Sequence, residues 1–152
     1  MVNIKTQQKG NQRPNIAVLI PVYKGINVTI ESIERALSDI DAIANTKLLV
    51  INDASPEKNM QPALLELQKK TKNSFELLLN DTNLGFVRTA NKAMKHFAKH
   101  DIELLNSDAF VPPNWLKRLQ DDAYSDTKTA TVTPLSNNAT ICTFPEFLKD
   151  NP

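Results

Sequence analysis

The sequence predicts an α/β protein with a Rossmann-like, three-layer α/β/α arrangement around a mainly parallel sheet. Three observations carry this reading. Short continuous apolar runs alternate with longer stretches whose apolar residues recur at helical spacing. The runs lack a polar face, as strands covered on both sides do. Several of them stop at polar turn formers, placing those polar residues at strand carboxyl ends, the edge where open α/β sheets bind ligands.

The first strand is Ile16 to Val22, apolar throughout and preceded by Pro14. Pro21 removes a ladder donor near its end, so the chain is expected to leave the sheet at Tyr23 to Gly25. A helix follows, with Ile30, Ile33, Leu37, Ile40 and Ala44 on one face and Asn27 or Thr29 as its cap. The second strand, Lys47 to Asn52, ends in the polar turn Asn52 to Ser55 before Pro56. A weaker helix has Pro62 in its first turn, carries Leu64, Leu65 and Leu67, and runs to Lys70.

Phe75 to Leu79 is the third strand. The loop Asn80 to Gly85 ends on a glycine able to take positive φ and to let a ligand approach the backbone. From Phe86 to Lys99 a helix places Phe86, Ala90, Ala93, Met94 and Phe97 toward the core, with Lys92, Lys95 and Lys99 opposite. Ile102 to Asn106 is the fourth strand, Pro113 to Tyr124 a helix, and Thr129 to Thr133 an expected fifth strand. Ser136 to Thr140 has no regular pattern.

Composition narrows the function classes. At 152 residues, 41% hydrophobic and 23% charged, the chain has room for one domain with a core, read as 15–152 after a flexible polar lead over 1–14. A net charge of +1 supplies no long-range field for a polyanion, so nucleic acid is not expected as a partner. The single Cys142 excludes an internal disulfide and a multi-cysteine metal site. No apolar run has the length of a membrane span. His96 and His100 share a helix face without an evident third ligand, which argues against a metal there.

The candidate site lies at the strand ends. Pro21 to Gly25, Asn52 to Ser55 and Asn106 to Asp108 each follow a strand of one parallel sheet, so all three fall on one edge. Asn106 and Asp108, at i and i+2 in a tight turn, offer hard oxygen ligands to a divalent cation that in turn holds a diphosphate. As a turn, the same triplet satisfies its own backbone. Asp53 is suited to accept hydrogen bonds from a base edge or ribose hydroxyl, or to serve as a turn residue. Arg88, one helical turn before Asn91 and close to Gly85, suits a phosphate or base carbonyl; the bland alternative is an ion pair with Asp81. Trp115 reads as core or as a border of the pocket.

The segments 18–23 (VLIPVY), 50–55 (VINDAS), 83–91 (NLGFVRTAN) and 104–116 (LLNSDAFVPPNWL) together resemble the family 2 glycosyltransferases, with their GT-A nucleotide-sugar fold. The resemblance spans most of the chain in the family's order. It implies transfer of a sugar from a nucleotide-diphosphate donor, a UDP- or dTDP-sugar first among them, assisted by Mn2+ or Mg2+. Pro21, Val22, Tyr23 and Asp53 would hold the nucleoside. Gly85, Arg88, Asn91 and Ser107 would complete the donor site, and Asn106 and Asp108 stand at the family's Asp-x-Asp metal motif.

Two departures from the family pattern bear on the metal. Asn106 replaces the first carboxylate of that motif, and Asn52 stands where many relatives carry an acid, so cation binding should need the diphosphate to complete the site. None of Asp121, Asp122, Asp126, Glu146 and Asp150 matches the family's catalytic base, which is expected beyond Pro152. The chain therefore reads as a truncated, donor-binding half, with an acceptor of unknown kind. An exposed sheet edge in such a half is expected to self-associate. The expected location is cytoplasmic, with a peripheral position at the inner membrane beside biosynthetic partners as a variant. A non-catalytic nucleotide-binding module is the alternative from another class. A nucleotidyltransferase fits less well, since no glycine-rich basic loop follows the first strand.

Overall fold

The computed structural model describes residues 15–40, 43–72, 74–138, 142–149 and 151. The lead expected over 1–14, and Thr140, Asp150 and Pro152, lie outside them. The described residues fall into two compact units that divide between Phe110 and Val111.

The first unit is built on four parallel strands, β1 (Ile16–Val22), β2 (Lys47–Asn52), β3 (Glu76–Leu79) and β4 (Asp101–Leu104), in the order β3-β2-β1-β4. Helices α1 (Ile26–Ile40), α2 (Met60–Lys70) and α3 (Phe86–His96) make the crossovers. Right-handed crossovers from β1 outward to β3 put α1 and α2 on one face of the sheet. The return from β3 past β2 and β1 to β4 puts α3 on the other. The packing agrees: α1 touches α2 and β2, while α3 lies on β1 and β2. The expected layered, parallel architecture is the one observed.

Side-chain alternation divides the core. Ala17, Leu19, Leu49 and Ile51 meet Ala93 and Phe97, with Leu78, Met94, Ile102 and Leu104 at the margin. Register explains the match, since Leu19 pairs with Leu49 on one side and Leu104 on the other. Val18, Ile20, Leu48 and Val50 point to the opposite face and are equally buried. Each such side chain contributes about 1.5–3 kcal/mol of burial, so the central strands form a rigid base for the loops at their ends.

Several expectations are corrected. Thr129 to Thr133 forms no strand: its apolar residues are too few, and all but half-buried Val132 are exposed. Helix α1 begins before Asn27 and Thr29, which are helical rather than caps, because Gly25 at φ +84° turns the chain directly into the helix. Its buried stripe is Thr29, Ser32, Ile33, Ala36, Asp39 and Ile40; Ala44 lies beyond its end. Leu65 is exposed, and Met60 is buried in its place. Helix α3 ends at His96, short of Lys99, and Phe86 is 52% exposed rather than core. The fourth strand ends at Leu104, so Asn106 lies in the loop after it.

In the second unit α4 (Trp115–Ala123) starts after Asn114, which takes a left-handed φ of +59°, and buries Trp115 and Leu116. Ser136 and Thr143 form an isolated parallel bridge. Asn151 is buried there, donating its backbone N–H to the Asn137 carbonyl at 2.8 Å.

Candidate functional site

The strand order reverses between β1 and β4. Such a reversal splays the loops apart and opens a crevice at the strand carboxyl ends. Pro21, Val22 and Tyr23 stand on one side of it and Asn106, Ser107 and Asp108 on the other. Val22 is buried, Pro21 half-buried and Tyr23 41% exposed, with the Lys24 ammonium 5.5 Å from the centre of its ring.

The loops along this edge are tied to one another. Asp53 donates its backbone N–H to the Val22 carbonyl at 2.8 Å, and Asn80 donates its own to Asn52 at 2.9 Å. The Gly25 N–H reaches the Glu57 carboxylate at 3.0 Å, linking the turn after β1 to the turn after β2. Asn52 folds back to accept from the Ser55 N–H at 2.9 Å, so it builds the turn in which it sits. Across the crevice, the Ser32 hydroxyl on α1 donates to the Ala109 carbonyl at 2.8 Å and lies 3.4 Å from the Asn106 carbonyl. The Ala109 N–H closes the same turn on Asn106 at 3.1 Å. Ser32 thereby holds the backbone that carries Asn106 and Asp108.

Asp53 is 4% exposed and surrounded by donors. Its Oδ1 accepts from the Asn80 amide at 2.8 Å and the Leu84 N–H at 2.9 Å, and its Oδ2 from the Gly85 N–H at 2.9 Å. Burial by itself raises such a carboxyl. The hydrogen bonds from Leu84, Asn80, Thr89 and Gly85 outweigh it and hold the group below its ordinary value. The Leu84 and Gly85 amides, just before α3, are directed at this carboxylate.

Arg88 and Asn91 lie on the exposed side of α3. Among the described residues Arg88 makes no ion pair, and the pairing with Asp81 is not formed. Gly85, at φ +77°, sets the turn from which α3 starts and lets Arg88 fall in its first turn. Ser107 is half-buried and the side chains of Asn106 and Asp108 are exposed. The Asp108 carboxylate makes no hydrogen bond to a described residue, so its acceptor capacity is open, in contrast to that of Asp53.

The donor set at Asn106 and Asp108, one amide oxygen and one carboxylate, fits a hard divalent cation whose remaining ligands come from elsewhere. Among the described residues no group of three His, Cys, Asp or Glu side chains comes together. His96 instead faces Glu76 at 3.3 Å, and His100 packs edge-on against Phe97. An open cleft of about 550 Å3 lies on the β2–β3 side of the edge, lined by Asn52, Glu57, Lys58, Gln61, Asn80 and Asp81 among others. It includes neither Arg88 nor the Asn106–Asp108 turn, and the switch point between β1 and β4 is the better candidate because the open carboxylate of Asp108 lies in the turn after β4.

Sequence reading missed Ser32, Asn80, Thr89 and Lys92. The only local signal for any of them was polar residues at buried helical positions, as at Ser32 and Thr89. Lys92, expected on a solvated face, donates to the Asn80 side-chain oxygen at 2.7 Å.

A parallel α/β sheet with this order places polar loops at the switch point, where open α/β folds bind their ligands. The sequence profile of Glycosyl transferase family 2 matches residues 17–139, and the chain belongs to that family. No curated protein sequence matches significantly. Among solved structures, it is similar to a mannosyltransferase from Pyrobaculum calidifontis in complex with GDP-Man and Mn2+. The TM-score is 0.68 at 18% identity, over 77% of this chain and 34% of that one. GalNAc-T7 with UDP, GalNAc and Mn2+ matches with a TM-score of 0.65 at 15% identity, over 74% of this chain and 21% of that one. TarS of S. aureus, residues 1–349, matches with a TM-score of 0.58 at 18% identity, over 73% and 32%. The fold is thus that of GT-A glycosyltransferases, and the chain spans about a third or less of these neighbours' lengths. No described helix is long and apolar enough to cross a membrane.

Proposed function

We propose that this chain binds the nucleotide-diphosphate sugar donor of a metal-assisted glycosyl transfer, in the service of polysaccharide or related glycan synthesis. One observation carries the reading most directly. On the carboxyl-end edge of the sheet, the Asp108 carboxylate in the turn after β4 and the Arg88 guanidinium in the first turn of α3 have no hydrogen-bond or ion-pair partner among the described residues, while Ser32, Asn52 and Asp53 are engaged in holding the loops. A guanidinium and a carboxylate without internal partners suit a diphosphate and the cation that accompanies it.

In this reading the backbone of Pro21 to Tyr23 borders the nucleoside, with Tyr23 exposed to lie against it. Arg88 neutralises charge on the diphosphate as the sugar departs, and Asn91 and Ser107 supply polar contacts at its margins. Asn106 and Asp108 would hold Mn2+ or Mg2+, which when bound adds positive charge at the same diphosphate. UDP- and dTDP-sugars are the first candidates, and the GDP-Man complex of the mannosyltransferase neighbour adds guanosine donors. No residue described here is assigned as the base that activates an acceptor.

Calorimetric titration with UDP, dTDP and GDP, with and without Mn2+, tests this. Metal-dependent binding that is lost in Asp108→Ala supports the donor site. A folded chain that binds none of them contradicts it. A second reading, a non-catalytic nucleotide-binding module, is favoured by the replacement of a carboxylate at Asn106. Metal-independent nucleotide binding, unchanged in Asp108→Ala, would select it.

A further inference from the structure

We infer that Glu57 is a positioning residue for the donor site, its carboxylate fixing the far end of the loop Pro21–Gly25 that would border the nucleoside. This rests on the proposed donor site. The loop is tied to the turn after β2 on either side of Tyr23 and Lys24. The Val22 carbonyl accepts from the Asp53 N–H at 2.8 Å, and the Gly25 N–H donates to Glu57 Oε2 at 3.0 Å, across 32 residues of sequence. Tyr23 and Lys24 stand exposed between these two ties. Fixing both ends confines the path of the chain between them, so the presentation of Tyr23 to a nucleoside depends on Glu57 as well as on the sheet.

The backbone at Gly25 makes this tie hard to replace. Gly25 takes φ +84°, and a Cβ there would meet Val28 Cγ2 at 2.9 Å, so glycine is what allows the chain to turn into α1 at this point. Its carbonyl accepts from the Thr29 N–H at 3.0 Å, which makes Gly25 the residue that opens the helix. In a capping box the N–H of that opening residue is taken by a Glu three residues on. Here that position is Val28, and Glu57 brings the carboxylate from another loop to the positive end of the helix dipole.

Glu57 is itself held before it reaches out. Asn52 Oδ1 accepts from the Ser55 N–H at 2.9 Å, Ser55 Oγ from the Glu57 N–H at 3.2 Å, and the Glu57 carbonyl from the Met60 N–H at 2.9 Å. Pro56, between Ser55 and Glu57, has a fixed φ and no N–H to satisfy. Ordering the carboxylate therefore costs only the freedom of its own side chain.

The test compares the unaltered chain with Glu57→Ala, Glu57→Asp and Glu57→Gln. The first removes the acceptor, the second keeps the charge but withdraws it by one methylene, and the third keeps an oxygen at the same reach without the charge. Amide hydrogen exchange, which needs no ligand, is read first. In Glu57→Ala and Glu57→Asp the Gly25 amide should exchange about tenfold faster while those of Asp53 and β2 stay unchanged, and Glu57→Gln should restore most of the protection. Unaltered exchange at Gly25, or equally faster exchange throughout β2, overturns the positioning role.

Calorimetry with UDP in Mn2+ follows. Affinity should fall about tenfold in Glu57→Ala and Glu57→Asp and stay within about threefold of the unaltered chain in Glu57→Gln. Faster exchange at Gly25 with unchanged affinity, or a loss in Glu57→Gln as large as in Glu57→Ala, overturns the inference. Failure of the unaltered chain to bind UDP or GDP would overturn the donor-site reading instead, with the exchange arm still deciding whether Glu57 sets the loop. Should Glu57→Ala not fold, Glu57→Asp decides both arms.

Discussion

The side-chain amide of Asn80 donates to Asp53 Oδ1 at 2.8 Å across 27 residues of sequence, joining the loops after β3 and β2. Truncating Asp53 to Ala would leave the Leu84 N–H without its acceptor, and Asn80 and Gly85 with only their second ones, the Thr89 hydroxyl at 3.1 Å and the Asn83 side-chain oxygen at 2.8 Å. The expected cost is about 2–4 kcal/mol of folding stability, measurable by urea unfolding at neutral pH. A loss under about 0.5 kcal/mol would mean that water replaces the carboxylate at no penalty.

The same carboxylate gives the acid limb of the stability curve a definite sign. Its folded value lies below the ordinary 3.8, so the stability it contributes is present in full above that value and is lost as pH falls through the folded one. Asp53→Asn should flatten the stability–pH slope below pH ~4. An unchanged slope would place the acid sensitivity elsewhere.

Glu103 carries the opposite sign. Pairing with Val18 turns it to the sheet face away from α3, and burial alone pushes its carboxyl from 4.5 up to about 7. The stability associated with this group is complete below the unfolded value and declines as pH rises through about 7. Glu103→Gln should therefore be the more stable form at pH ~8, by about 1–3 kcal/mol, and lose that advantage near pH ~4. Thermal melts at the two pH values check this.

Gly85 tests backbone conformation separately from crowding. A methyl group there would meet no atom within 4 Å, yet φ is +77° with ψ at 159°, a region that L side chains rarely enter. Gly85→Ala should cost about 1–3 kcal/mol through strain alone, together with weaker nucleotide binding, since Arg88 follows from this turn. Full stability in Gly85→Ala would show that the loop relaxes to negative φ without penalty.

Ser32→Ala removes the donor that ties α1 to the Asn106–Ala109 turn, at 2.8 Å from the Ala109 carbonyl. The expected loss is about 0.5–1.5 kcal/mol, with Mn2+-dependent nucleotide binding weakened more than metal-independent binding. Equal weakening of both would place the effect on the fold as a whole.

These residues also mark how far local sequence could reach. The strands of the sheet were legible because continuous apolar runs such as Leu48 to Ile51 have one way to be buried on both faces. That the polar turns share one edge followed from strand direction, and a positive φ at Gly85 from its being the glycine that ends the loop. What was not legible depends on partners far away in the chain. Lys92 reads as a solvated lysine until Asn80 is seen 2.7 Å from it. Ser32 reads as a weak helix former until its carbonyl partners, more than 70 residues on, are in place. Glu103 was absorbed into an apolar run, and Thr129 to Thr133 was assigned to a sheet that takes no strand from it. Strand direction put Asp53 at the edge, but neither it nor the family resemblance carried information about which donors fill its oxygens here.

The most direct test of the donor site is two-dimensional amide NMR of the chain with UDP or GDP, titrated with substoichiometric Mn2+. The account predicts that paramagnetic broadening centres on residues 106–108, extends to Arg88, and vanishes from that turn in Asp108→Ala. Broadening centred elsewhere, or none while the nucleotide is bound, would contradict it.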